Sequence, residues 1–319
     1  MRRRDTVAAA FAALALPRIV WGQGKRPLVG VLVLGNPPPE LLLQVFRDAL
    51  RKRGYVEDRN IAYAVRSAGG TAERLPELAS ELVRLGADVI VTWQTPATAA
   101  AKAATRKIPI VMAGAADPVG NGFIASHARP GGNITGISGA GGEVFGKGVE
   151  LLREVLPRAR RFAVLANAAD PFTAAFVRLV TASAQGAGVQ VLVSRVGPSD
   201  DLHAVFGRFA KAPVDGLIVQ PSLVGPAVAA LALSHRLPAM SGFRTFAESG
   251  GLMSYSLHQA ENFEQAARYV DLILKGAKPA DLPAANATKF ELVINLRTAK
   301  ALGIAIPQTL LIRADDLIE

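Results

Sequence analysis

The run Thr92-Trp93-Gln94-Thr95-Pro96-Ala97-Thr98 joins an apolar, strand-like stretch directly to an alanine-rich helical one. At such a junction the first helical amides lack intrahelical partners and sit at the positive end of the helix dipole. Gln94, Thr95 and the amide of Ala97 could therefore hold a carboxylate or another acceptor without a formal counter-charge. Thr95 is expected to cap, with Pro96 at the first helical position. Asp117 follows the next apolar run, in Ala115-Ala116-Asp117-Pro118. Its carboxylate could accept from a ligand amine or hydroxyl, and Asp before Pro is equally a turn former. Other strand ends offer Asn36 before three prolines, Asn167 with Asp170-Pro171, Gln220-Pro221-Ser222, and Ser241-Gly242-Phe243. Phe243 or Phe246 could stack on a planar ligand, with burial in the core as the plain alternative.

Catalytic patterns come close and fail. Gly141-Gly142-Glu143-Val144-Phe145-Gly146-Lys147-Gly148 follows the phosphate-loop pattern until Gly148 replaces the hydroxyl residue that would hold magnesium. Gly136-Ile137-Ser138-Gly139-Ala140 lacks the last glycine of a nucleophile elbow. His127, His203, His235 and His258 are isolated, without metal-ligand spacing. There is no cysteine, which removes disulfides, thiolate metal sites and a thiol nucleophile together. No enzyme activity, metal or cofactor is expected.

These residues stand at the ends of short apolar runs that alternate with helical periodicity. Strands are expected at 28–34, 61–65, 87–92, 108–113 and 134–137, then at 162–166, 189–193, 216–219 and 239–242. Helices are expected at 40–53, 72–85, 95–105, 172–185, 201–211 and 225–235. Such alternation implies parallel, doubly wound sheets. The two halves also repeat. Asp88 and Asp215 lie 127 positions apart and open matching apolar runs, and Ile108-Pro109 and Leu237-Pro238 lie 129 apart. A duplicated open sheet leaves a crevice at the C-terminal strand ends of each copy, and two facing crevices make a cleft that a hinge can shut.

The chain has 319 residues, 50% hydrophobic and 19% charged, with a formal charge of +10, or +7 without residues 1–22. The basic side chains sit in short groups such as Arg158/Arg160/Arg161 with no aromatic interleaving. They read as solvated faces and helix ends rather than a nucleic-acid surface. The first 25 residues read as a targeting segment: Arg2-Arg3-Arg4 before ten apolar residues, Val7 to Leu16, which are too few to span a bilayer.

Several segments carry a specific resemblance. Ile108-Pro109-Ile110-Val111 through Asp117-Pro118-Val119-Gly120, Ala128-Arg129-Pro130-Gly131-Gly132-Asn133-Ile134-Thr135-Gly136, Gly250-Gly251-Leu252-Met253-Ser254-Tyr255 and Thr288-Lys289-Phe290-Glu291-Leu292-Val293-Ile294-Asn295 stand in family order. The chain resembles the ABC-transporter substrate-binding proteins related to bacterial tryptophan/tyrosine-binding lipoproteins. That resemblance implies an α/β type I periplasmic-binding fold, with two Rossmann-like lobes joined by a three-crossover hinge. Residues 26–138 plus 256–288 would form one lobe, and 139–255 plus 289–319 the other. It also implies a small-molecule ligand, an inner-membrane permease and ATPase as partners, and no catalysis. An amino acid, first of all an aromatic one, is the leading ligand, with a purine, nucleoside or aromatic acid next. The missing lipobox cysteine favours a monomer free in the periplasm, with the paired N-terminal arginines resembling a twin-arginine export signal.

Overall fold

A computed structural model describes residues 26–35, 40–139, 141–197, 200–212 and 214–319. The targeting-segment expectation and Asn36 with its proline run lie outside the described residues. One sheet is built from β1 (Leu28–Val33), β2 (Ala62–Ser67), β3 (Val89–Trp93), β4 (Ile110–Ala116), β5 (Ile134–Gly139) and a late strand, β11 (Ala285–Asn286). Its order is β11-β5-β4-β3-β1-β2, and every pair is parallel. The other sheet holds β6 (Arg161–Asn167), β7 (Gln190–Val196), β8 (Gly216–Val219), β9 (Ala239–Ser241), β10 (Met253–Leu257), β12 (Phe290–Asn295) and β13 (Asp316–Ile318). Its order is β13-β12-β10-β9-β8-β6-β7. Setting aside the late strands, both sheets wind in the same order, 2-1-3-4-5.

The repeat is visible in hydrogen bonds as well as in order. Asp88 accepts from the Leu28 amide at the start of β1 (2.7 Å), and Asp215 accepts from the Arg160 and Arg161 amides at the start of β6. The Pro109 and Pro238 carbonyls accept from Ile90 and Leu217, the matching residues of β3 and β8. Each repeated pair thus does one job twice: it ties the central strands of its sheet to a neighbour.

Both faces of each sheet are covered, as the continuous apolar strands require. Val29 and Val31 face Leu43 and Phe46 of α1 (Glu40–Arg51) and Phe263 of α9 (Gln259–Leu274). Leu32 and Ile90 face Leu78 and Leu82 of α2 (Leu75–Arg84) and Ala101 of α3 (Thr95–Ala104). In the second sheet Phe162 and Val164 meet α4 (Gly141–Val155) and α5 (Thr173–Gly186). Leu165 and Val219 meet α6 (Leu202–Lys211), α7 (Pro226–Ser234) and α8 (Arg244–Glu248).

Two glycines show close approach. A Cβ on Gly148 of α4 would lie 2.6 Å from Met240 Cε, so the residue that spoils the phosphate-loop pattern lets α4 pack on β9. Gly136 has φ +121, and a Cβ there would lie 2.4 Å from the Met112 carbonyl oxygen.

The chain passes between the sheets three times, after β5, after β10 and after β11. One consequence departs from the all-parallel expectation. Because β12 arrives from the other sheet, it runs antiparallel to β10, and β13 follows its direction. The helix expected over 72–85 opens as a 3-10 turn at Ala72–Arg74 before α2, whose early Pro76 lacks an amide to donate. No helix among the described residues is long and apolar enough to cross a membrane.

Candidate functional site

The C-terminal ends of the central strands of both sheets converge on one chamber of about 60 Å³. The first sheet contributes Gln94 and Thr95 after β3, Gly114 and Ala116 of β4, and Gly139 of β5; the second contributes Asp170 after β6, Gln220 and Pro221 after β8, and Phe243 after β9. Gln94, Pro221 and Phe243 also line a neighbouring, larger space of about 550 Å³. Parallel open sheets place ligands in this position, outside the carboxyl ends of their strands.

Gln94 is the strained residue at this junction. Its backbone sits at φ 75, ψ 155, a region essentially reserved for glycine, and it occupies the N-cap of α3. Its side chain is only 8% exposed, and Oε1 is buried without a hydrogen-bond partner. An unpaired buried acceptor is costly, so both strain and desolvation are concentrated at one side chain on the chamber wall. Thr95 is the first helical residue rather than the cap. Its hydroxyl accepts from the Ala116 amide at 3.1 Å and ties the end of β4 to the start of α3.

Asp170 faces the chamber from the other sheet and is also 8% exposed. Its Oδ1 accepts from the Phe172 amide (2.9 Å) and its Oδ2 from Gln220 Nε2 (2.8 Å). The orientation of Gln220 is fixed, because its Oε1 accepts from the Asn167 amide and the Thr173 hydroxyl, each at 2.9 Å. Burial pushes the Asp170 carboxyl above the ordinary carboxylate value, and hydrogen bonds from Ser222, the Phe172 amide and Gln220 draw it partly back. Among the described residues Asp170 forms no ion pair. The remaining wall is apolar: Phe145, Phe172, Val144 and Leu257, with Phe145 and Phe172 tilted against each other at 5.7 Å. Trp93 and Phe243 meet across the two sheets with ring centroids 5.5 Å apart.

Of the residues expected from sequence, Gln94, Thr95, Asp170, Pro221, Ser222 and Phe243 line the chamber. Asn167 stands behind it: its amide supports Gln220, and its side-chain oxygen accepts from Ala169. Three residues do not reach it. The Asp117 carboxylate turns back to accept from Gly120 (3.0 Å), closing a turn at φ 42, and lines neither space. Ala97 is buried in the core between α3 and its sheet, while the neighbouring Thr98 amide is engaged by the Gln94 carbonyl. Phe246 is 0% exposed within the core under α8. Sequence reasoning passed over Phe145 and Phe172. Phe145 sat in a glycine-rich run read only for phosphate binding, and Phe172 follows the Asp170-Pro171 pair that was already singled out. Among the described residues no group of three metal-ligating side chains gathers.

A family model described as ABC transporter substrate binding protein matches residues 30–318. The chain belongs to that family. This substrate-binding protein is 27% identical over 265 residues to a tyrosine-binding protein of Clostridioides difficile, covering 81% of this chain and 75% of that one. It is also 27% identical to the solved ABC domain in complex with L-Trp from Streptococcus pneumoniae, with a TM-score of 0.84 over 92% of this chain and all of that one. The leucine-binding protein LivK of Thermotoga maritima shares 13% identity and a TM-score of 0.57, over 81% of this chain and 78% of that one. That likeness is one of fold, the type I periplasmic-binding architecture. These relatives bind ligands and are not enzymes.

Proposed function

We propose that this substrate-binding protein captures an amino acid, first of all an aromatic one, between its two sheets and delivers it to an ABC importer. The supporting observation is the chamber itself. Its polar wall comes from the strand ends of both sheets, so a ligand seated there touches both at once. The first lobe comprises residues 26–138 plus 256–288, and the second 139–255 plus 289–319. The lobes close about the three crossovers, and Trp93 against Phe243 is the contact that closure makes. The L-Trp complex and the tyrosine-binding relative support the ligand class. The protein works as a monomer in the periplasm, after removal of residues 1–25, and its partners are an inner-membrane permease and ATPase.

A thermal-shift screen with amino acids, nucleosides and aromatic acids tests this reading. A ligand that binds only the folded state at a hundred times its Kd stabilises by about 2.7 kcal/mol, a shift of several degrees. L-tryptophan or L-tyrosine should raise the melting temperature. A shift with nucleosides and none with any amino acid would replace the ligand class.

A further inference from the structure

We propose that Arg158, Arg160 and Arg161 form a separate binding site, for a phosphate group, at the end of the second sheet away from the chamber. This site is independent of whichever ligand the chamber takes.

The three arginines, with Gly188, Gln190 and Asp215, line an open concavity of about 680 Å³. That falls within the roughly 300–1,000 Å³ usual for small-molecule sites. It lies where β6, β7 and β8 begin, whereas the chamber lies where β6 and β8 end. The backbone beneath the arginines is pinned. Asp215 Oδ2 accepts from the Arg160 and Arg161 amides at 2.7 and 3.0 Å. The Arg160 carbonyl accepts from the Gln190 amide and the Arg161 carbonyl from the Asp215 amide, each at 2.8 Å. The half-buried Arg161 guanidinium is itself oriented, because Gln190 Oε1 accepts from its Nε (3.2 Å) and its Nη2 (2.8 Å). Two of its five N–H donors are used in this way and three remain. Arg158 and Arg160 are exposed. Among the described residues none of the three guanidinia has an ion-pair partner.

The ordinary tasks of arginines at such a corner are done by other groups. Basic side chains often cap helix C-termini. Here the Leu156 carbonyl, just past α4, accepts from Arg153 (2.8 Å), and carbonyls in the last turn of α5 accept from the Ala187, Gly188 and Val189 amides. Pinning the start of a strand does not need arginines either. In the first sheet Asp88 does that job for Leu28, while the nearby Arg26 donates to the Asp58 carbonyl.

The charges match the ligand. Three guanidinia less the Asp215 carboxylate leave two positive charges on the concavity, and a phosphate monoester carries about −1.5 to −2 at neutral pH. Planar guanidinium forks bind phosphate oxygens bidentately, a geometry that a spherical anion such as chloride does not satisfy. The phosphate belongs either to the free ion or to a lipid headgroup of the phosphatidic acid kind.

Titration calorimetry with inorganic phosphate tests this, against sodium chloride at matched ionic strength. Phosphate should give a saturable heat that chloride does not. In Arg158→Gln/Arg160→Gln/Arg161→Gln the phosphate affinity should fall about tenfold or more, the usual loss with a charge-assisted hydrogen bond. Arg84→Gln/Arg106→Gln/Lys107→Gln removes three charges that make no ion pair among the described residues, at the corresponding end of the first sheet. That control should keep phosphate affinity within about twofold, as distant sites do. Heat no different from chloride, or equal weakening in the two triple variants, overturns the proposal, because the arginines then act only as general surface charge. If the arginine triple fails to fold, Arg158→Gln and Arg160→Gln are made singly, and unchanged phosphate affinity in both overturns it as well. Co-sedimentation with phosphatidylcholine vesicles containing phosphatidic acid separates the two sources. Retention lost in the arginine triple and kept in the control assigns the phosphate to a lipid, and phosphate heat without that difference assigns it to the free ion.

Discussion

Replacing Phe243 by Ala removes the aromatic contact that joins the two sheets over the mouth of the chamber. Phe243 is half-buried and packs both on Trp93 and on the core of the first sheet. Burial of about half a Phe side chain contributes about 1 kcal/mol, and an aromatic pair adds roughly 0.5–1.5 kcal/mol beyond area. About 2 kcal/mol is therefore at stake, and all of it belongs to the state in which the sheets are together. That corresponds to a shift of up to about 30-fold in the closing equilibrium and an equal loss of apparent ligand affinity. X-ray scattering of the ligand-free variant should report a larger radius of gyration than the parent. Calorimetry should report the weaker binding. Tryptophan fluorescence adds a local readout, since Trp93 touches Phe243. Unchanged compactness together with unchanged affinity would refute the idea that this pair holds the closed state.

Other expected outcomes follow from individual side chains. Gln94→Gly should relieve backbone strain of about 1–3 kcal/mol, less the roughly 0.5–1 kcal/mol that glycine's extra freedom costs. Urea unfolding should thus show a net gain of about 1 kcal/mol, while ligand affinity falls; a loss of stability would contradict the strain. Phe246→Ala should lower stability by about 3–5 kcal/mol in the same assay and leave the affinity of the folded protein unchanged, because Phe246 is core. Folding raises the Asp170 pKa above 3.8, so between that value and the raised one the native state holds more protons than the unfolded chain. Stability from this group consequently falls as pH rises through the window. Unfolding titrations from pH 4 to 7 should show that slope in the parent and its loss in Asp170→Asn; identical pH profiles would sink the assignment.

The architecture was legible because the repeat is written in residues with fixed backbone jobs. Asp88 and Asp215 must sit where a strand's first amide needs an acceptor, and Pro109 and Pro238 where a strand begins. The reversal of β12 was not legible, since its direction depends on the chain crossing from the other sheet, and local pattern carries no record of that. Strand ends pointed to Gln94, Asp170 and Phe243, which line the chamber, because open parallel sheets present those positions to a cleft. Asp117 and Asp170 are indistinguishable in one dimension: both are Asp-Pro pairs after a strand. Only the fold shows that one carboxylate bends back to Gly120 while Phe172 and Gln220 bury the other. Phe243 and Phe246 are three residues apart, and entry into α8 turns the second inward. The backbone angles at Gln94, ordinarily reserved for glycine, also leave no trace in sequence, because glutamine is an unremarkable residue type at a helix start.

A crystal structure of the complex with L-tryptophan, or with L-tyrosine if that binds more tightly, measures the claim on which the rest depends. The ligand should touch Gln94 of the first sheet and Asp170 of the second at once, with its ring beside Phe243. A tightly bound ligand contacting residues of one sheet alone would contradict it.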